Sequence, residues 1–187
     1  MKKALLTSLL LIAFNSGCTI PNNSNTSVTR NAPPPSIRTS SVYHQLQTVQ
    51  GPIVTVGERS NGFTFPQYEG KVVLLQIFGK ECQFCFEEMP IIRNLNIKYG
   101  QQLQVIAIQA QDPMSKATAS NLINRFQMYY PIIERDNASE LLFFMRRTYG
   151  WNGILPYILL IKNGVTEYSF KGKVSQQELD ESVRSLI

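Results

Sequence analysis

The chain predicts an α/β domain from about Gly51 to Ile187, and three observations predict it. Short apolar runs alternate with amphipathic segments across that whole stretch, the pattern of strands interleaved with helices. Asn163-Gly164 separates two strand-like runs near the end, and an Asn-Gly pair between strands signals a hairpin because both residues accept positive φ. Ser175 with Glu178, and Asn137 with Glu140, have the spacing of helix capping boxes.

In order, the strand candidates are "PIVTV", "KVVLLQIF", "LQVIAIQA", "YPIIE", "YILLIK" and "TEYSF". Each is a short run rich in β-branched or apolar residues, bounded by turn formers. Helices are expected to begin at Cys82, at Asp112-Pro113 (a capping residue followed by proline at the first helical position), at Asn137 and at Ser175. Leu179, Val183 and Leu186 fall on one face of the last helix, which predicts core packing there.

The segment before this domain reads differently. "MKKALLTSLLLIAFNSGC" has a positive start, an apolar run from Ala4 to Phe14 and small residues before Cys18, the anatomy of a secretory leader. The run is well short of the roughly 20 apolar residues that span a bilayer. Residues 1–17 are therefore expected to be a signal peptide. Ser16-Gly17-Cys18 resembles a bacterial lipobox, which implies lipid on Cys18, with Asn15 departing from the usual aliphatic residue. Residues 18–50, rich in Asn, Ser, Thr and Pro, are expected to form a flexible tether. His44, the one histidine of the chain, is expected to be a solvated side chain. Loss of Lys2 and Lys3 with the leader lowers the formal charge from +5 to +3, with no basic block. That balance speaks against a nucleic-acid partner.

If Cys18 carries lipid, only Cys82 and Cys85 of the three cysteines remain. A zinc site needs about four ligands, and one CxxC with one remote histidine does not supply them. A structural bridge across so short a loop removes little unfolded-state entropy. A redox dithiol fits best, because a cysteine in the first turn of a helix meets unpaired backbone N–H groups and the positive end of the helix dipole. A partner one turn later faces the same sulfur and can resolve a mixed disulfide. The order strand, short loop, CxxC, helix is present in "KVVLLQIFGKECQFCFEEMPIIRNL".

These residues resemble the thioredoxin superfamily, and within it the membrane-tethered extracytoplasmic group that includes TlpA and ResA. Pro90 stands eight residues after Cys82, where the superfamily has a helix proline, and "EEMP" is similar to the "KEMP" or "KEFP" of that group. "GILPYILLI" places Pro156, preceded by Leu155, where the family has a cis-proline before a late strand. "YPIIERDNASELLFFMRRTYGWNG" and "FTFPQYEGKVVLL" resemble further family passages. The resemblance implies a thioredoxin fold, a central mixed sheet flanked by helices with an N-terminal strand extension. It also implies a Glu88 carboxylate beside the dithiol and substrate contact by Leu155 and Pro156. Departures are Glu81 in place of the usual tryptophan, Gln83-Phe84 between the cysteines, and Gln76 where thioredoxin has a buried carboxylate.

The expected function is a tethered extracytoplasmic thiol-disulfide oxidoreductase, acting as a monomer without metal or cofactor. Cys82 attacks a substrate disulfide and Cys85 resolves the mixed disulfide. By family analogy the direction is reduction, a membrane thiol donor of the DsbD or CcdA kind recharges the pair, and cytochrome c maturation is a candidate setting. The alternatives are an oxidase or isomerase of the same fold, or a non-catalytic thioredoxin-fold metallochaperone. Glu81, Glu87 and Glu88 cluster by sequence, which is expected to leave the Cys82 thiol only mildly acidic.

Overall fold

The computed structural model describes residues 42–187; the expected leader, Cys18 and most of the expected tether lie outside the described residues. In chain order the elements are β1 (Tyr43–Gln47), β2 (Ile53–Arg59), β3 (Gly62–Thr64), β4 (Val72–Phe78), α1 (Gln83–Tyr99), β5 (Leu103–Gln109), α2 (Lys116–Phe126), β6 (Ile132–Ile133), α3 (Ser139–Tyr149), β7 (Tyr157–Lys162), β8 (Val165–Lys171) and α4 (Gln176–Arg184).

Every residue of β4 is buried, as expected of a continuous apolar run covered on both faces. It lies at the centre of a five-stranded sheet of order β6-β5-β4-β7-β8. β5 runs parallel to β4 and β6 parallel to β5, whereas β7 is antiparallel to β4 and β8 to β7. The sheet is therefore mixed. The β7–β8 hairpin turns through Asn163 and Gly164 at φ 51° and 82°, the conformation their sequence anticipates.

Alternation along β4 divides the core. Val73, Leu75 and Ile77 pack with Val54 and Val56 of β2 and with Leu141 and Met145 of α3. Val72, Leu74 and Phe78 pack with Cys85, Met89 and Ile92 of α1 and with Leu179 and Val183 of α4. Period-two alternation also places Gln76 on the α1 side. The dithiol helix thus rests on the most deeply buried strand of the molecule.

The domain begins before residue 51. Tyr43–Gln47 is a strand paired antiparallel with β2, and β3 completes a second, three-stranded sheet. Val49 N–H donates to the Ile132 carbonyl at 2.7 Å, and the Gln50 side chain bonds both Tyr130 O and Ile132 N. Residues 43–47 therefore pair with β2 and residues 48–50 cover the edge of β6 instead of extending the tether, because an uncovered strand edge leaves backbone groups unpaired. His44 is buried, with Nε2 2.7 Å from Glu58 and Nδ1 3.5 Å from Glu140. Two carboxylates and a strand position account for its departure from the expected solvated side chain.

Two helix starts also differ from expectation. α2 begins at Lys116 behind an N-cap at Ser115, whose hydroxyl accepts from Thr118 N–H. Asp112 and Met114 are engaged elsewhere: the Asp112 carbonyl accepts from Gln109 and Met114 N–H donates to Glu134. Residues Arg135–Ala138 form a single 3-10 turn capped by Glu134, and α3 follows at Ser139 without a side-chain cap. At α4, by contrast, Ser175 accepts from Glu178 N–H as its spacing anticipates. Among the described residues no helix is long and apolar enough to cross a membrane.

Candidate active site

α1 starts where β4 ends, after the turn Gly79-Lys80-Glu81. Cys82 is the N-cap residue, and its sulfur accepts the backbone N–H of Cys85 at 3.2 Å. A helix N-terminus leaves such N–H groups without intrahelical partners, so the first sulfur occupies a donor-rich position. Cys82 and Cys85 are joined by a disulfide, with an S–S distance of 2.07 Å. Cys82 is half-buried, whereas Cys85 is 0% exposed. The two sulfurs are thus inequivalent: one can be approached from solvent and the other lies in the core. α1 continues through Pro90, whose ring removes the N–H that the Phe86 carbonyl would otherwise accept.

The three glutamates do not act together. Glu81 pairs with Lys80 at 2.8 Å and Glu87 with Lys173 at 2.6 Å. Each hydrogen bond to lysine holds its carboxyl below the usual range, and the Glu81 bond also raises the Lys80 ammonium. Glu88 is different. It is 1% exposed, and its Oε1 accepts the Val174 backbone N–H at 3.0 Å while Oε2 has no partner. Burial pushes its carboxyl up to about 7, against the opposing pull of the Val174 bond and the Lys173 charge. An acid with that affinity, three residues beyond Cys85, is half protonated near neutral pH. The expected clustering of three like charges around the dithiol is therefore replaced by two neutralised glutamates at the surface and one buried acid.

Gln76 lies beneath this region with both side-chain amide atoms buried and unpaired. Unlike a carboxylate at that position, it has no proton to exchange near neutral pH.

The Leu155–Pro156 bond is cis, and β7 begins at the next residue. Leu155 packs against both core clusters, and Cys82 against the one on the α1 side of the sheet. The loop ahead of Pro156 is held by a residue the sequence reading passed over. Trp151, 3% exposed, donates its indole N–H to the Ile154 carbonyl at 2.9 Å. Its ring stacks on Tyr157 at 6.4 Å and carries the Arg146 guanidinium at 5.4 Å. The one tryptophan of the chain, standing between Gly150 and Gly153 just before a proline, was the available signal. Gly153 adopts φ 93°, a conformation that favours glycine. A cleft of about 610 Å³ lies elsewhere, lined by His44, Glu58, Phe143 and Arg147 among others, and includes neither cysteine. Cys18 is outside the described residues.

No family model matches the chain. In sequence it is similar to proteins named thiol-disulfide oxidoreductase ResA. One from Bacillus thuringiensis subsp. konkukian is 25% identical over 120 residues, 64% of this chain and 65% of the relative. One from Geobacillus thermodenitrificans is 26% identical with the same coverage. The chain thus spans just under two thirds of the length of these curated relatives. Among solved structures, a thiol:disulfide interchange protein of the thioredoxin family from Chlorobium tepidum superposes with a TM-score of 0.63 at 16% identity, covering 78% of this chain and 94% of the other. StoA from Bacillus subtilis gives 0.56 at 14%, covering 75% and 96%. With its mixed five-stranded sheet, its helix-capping CxxC and these neighbours, the chain has a thioredoxin fold and is similar in sequence to the ResA thiol-disulfide oxidoreductases.

Proposed function

We propose that this protein is a thiol-disulfide oxidoreductase that reduces protein disulfides outside the cytoplasm. The observation that carries the reading is the inequality of the two sulfurs: Cys82 is accessible at the first turn of α1, and Cys85 is fully buried. In the reduced protein the Cys82 thiolate attacks a substrate disulfide and expels one substrate sulfur as a thiolate. Cys85, deprotonated, then attacks Cys82 and releases the second substrate sulfur. The protein is left oxidised and the substrate has gained two electrons. Glu88 is the group proposed to accept the Cys85 proton, since its carboxyl, held near neutrality by burial, can both take and return one. Leu155 and Pro156 are proposed to bind the extended substrate chain beside Cys82.

The names of the curated relatives support the exchange chemistry. Two proteins of similar structure, a secreted disulfide oxidoreductase of Mycobacterium tuberculosis and an exposed lipoprotein thioredoxin of Streptococcus pneumoniae, agree with an extracytoplasmic setting. Reduction as the direction, a membrane thiol donor and a role in cytochrome c maturation rest on family analogy. The full chain is expected to accelerate reduction of insulin disulfides by dithiothreitol; a rate no greater than that of dithiothreitol alone would dismiss the enzyme reading. The anchor is checked separately: labelled palmitate should enter the wild-type chain and not Cys18→Ala, and equal labelling of both would remove Cys18 as the lipid site.

A further inference from the structure

The turn Gly79-Lys80-Glu81 places Cys82, and it is fastened from outside its own segment. Cys82 N–H closes the turn on the Gly79 carbonyl at 3.2 Å. The Glu81 N–H points away from the helix and ends on the side-chain oxygen of Gln111 at 2.9 Å. Gln111 follows β5, so two neighbouring strand-to-helix loops are tied together beside the dithiol. The loop that carries Gln111 is itself fixed from below. Ala110 N–H donates to the Phe78 carbonyl at 2.8 Å, and the buried Gln109 amide donates to the Asp112 carbonyl at 3.0 Å.

Gly79 shows how closely the two loops approach. A Cβ at that position would lie 2.4, 2.5 and 2.8 Å from the Gln111 side-chain carbon, oxygen and nitrogen. A side chain at position 79 would have to displace the Gln111 amide group from the place it holds beside the turn. Lys80 is paired with Glu81, and that exposed pair gives the turn little rigidity. The Gln111 contact differs in that it joins the turn to a second loop through the backbone N–H of Glu81.

We propose that Gln111 is a positioning residue for Cys82. By accepting the Glu81 N–H it holds the turn so that the Cys82 sulfur stays over the first N–H groups of α1, and in the reduced protein it thereby favours the thiolate. The inference rests on Cys82 being the attacking sulfur, as argued above.

The test is the rate at which iodoacetamide alkylates Cys82 in the reduced full chain near neutral pH, with its pH dependence, in three variants. Gln111→Ala removes both the acceptor and the filling beside Gly79. Gln111→Met keeps most of the filling without the acceptor, and Gln111→Glu keeps the acceptor. Gln111→Ala and Gln111→Met are expected to react about three- to tenfold more slowly at neutral pH, with the Cys82 titration moved to higher pH, the size one lost hydrogen bond can give. Gln111→Glu, measured at high ionic strength to screen its added charge, is expected to stay near the wild-type rate. A purely structural role would lower the melting temperature of all three without moving the titration. The proposal is overturned if Gln111→Met reacts and titrates like wild type, or if Gln111→Glu is as slow as Gln111→Met. Labelling of Cys85 before Cys82 in the wild type would instead overturn the assignment of the sulfurs.

Discussion

Replacing Cys82 by serine is expected to lower disulfide exchange by roughly a thousandfold or more, to the background of the assay, since removing a nucleophile removes the only route through a covalent intermediate. A serine hydroxyl has no appreciable anionic fraction at neutral pH and does not attack sulfur. Cys85→Ser is expected to fail differently. Cys82 keeps its place at the N-cap and still attacks, but the resolving sulfur one turn away is gone. With it goes the high effective concentration of an intramolecular partner, so the mixed disulfide accumulates. Intact-mass analysis after mixing with a disulfide substrate should show the adduct on Cys85→Ser and none on Cys82→Ser. Adduct formation on Cys82→Ser instead would reverse the roles. The burial difference supports the stated order, since a fully buried Cys85 cannot meet a protein disulfide first.

Glu88→Gln is expected to flatten the pH dependence of stability in the oxidised protein. The Glu88 carboxyl is raised from 4.5 to about 7 by burial. A raised acid binds its proton more tightly in the folded chain than in the unfolded chain, so its contribution is fully present below about pH 4.5 and is lost as pH rises through about 7. The shift corresponds to on the order of 3 kcal/mol across that window. Urea unfolding at pH 5 and pH 8 should therefore show wild-type stability falling by about that amount relative to Glu88→Gln. The same variant should lose any inflection near pH 7 in its exchange rate. Parallel stability curves for the two proteins would mean that Glu88 does not titrate in this range, and its proposed proton transfer to and from Cys85 would go with it.

What the sequence made legible follows from how local each signal is. β4, β5 and β7 are continuous apolar runs, and burial on both faces needs no knowledge of partners. Cys82 and Ser175 cap helices through bonds to residues three further on, so the sequence spacing contains the whole interaction. β1 was missed because only His44 and Leu46 turn inward from "YHQLQ", and His44 becomes a core residue through Glu58 on the partner strand. The start of α2 was misplaced because Met114 N–H is taken by Glu134, twenty residues away. Glu88 was legible as a candidate beside the dithiol, but its burial depends on Val174, eighty-six residues on. Gln111 meets the Glu81 N–H from thirty residues further along the chain, and nothing in its immediate neighbours announces that contact, whereas Trp151 bonds Ile154, three residues on, within its own loop.

The reduction potential of the full chain, equilibrated in glutathione or dithiothreitol buffers and read by counting free thiols, tests the central claim most directly. Lys80 and Lys173 neutralise the two surface glutamates, and among the described residues the Cys82 sulfur is paired with the helix N-terminus and with no cation. The pair is therefore expected to interconvert reversibly, with a two-electron transition at roughly −200 to −300 mV, the range of thioredoxin and the glutaredoxins. A disulfide that resists reduction at potentials below about −300 mV would be a structural bridge and would contradict the enzyme reading. A value near about −120 mV would contradict the reductase direction and make the protein an oxidant.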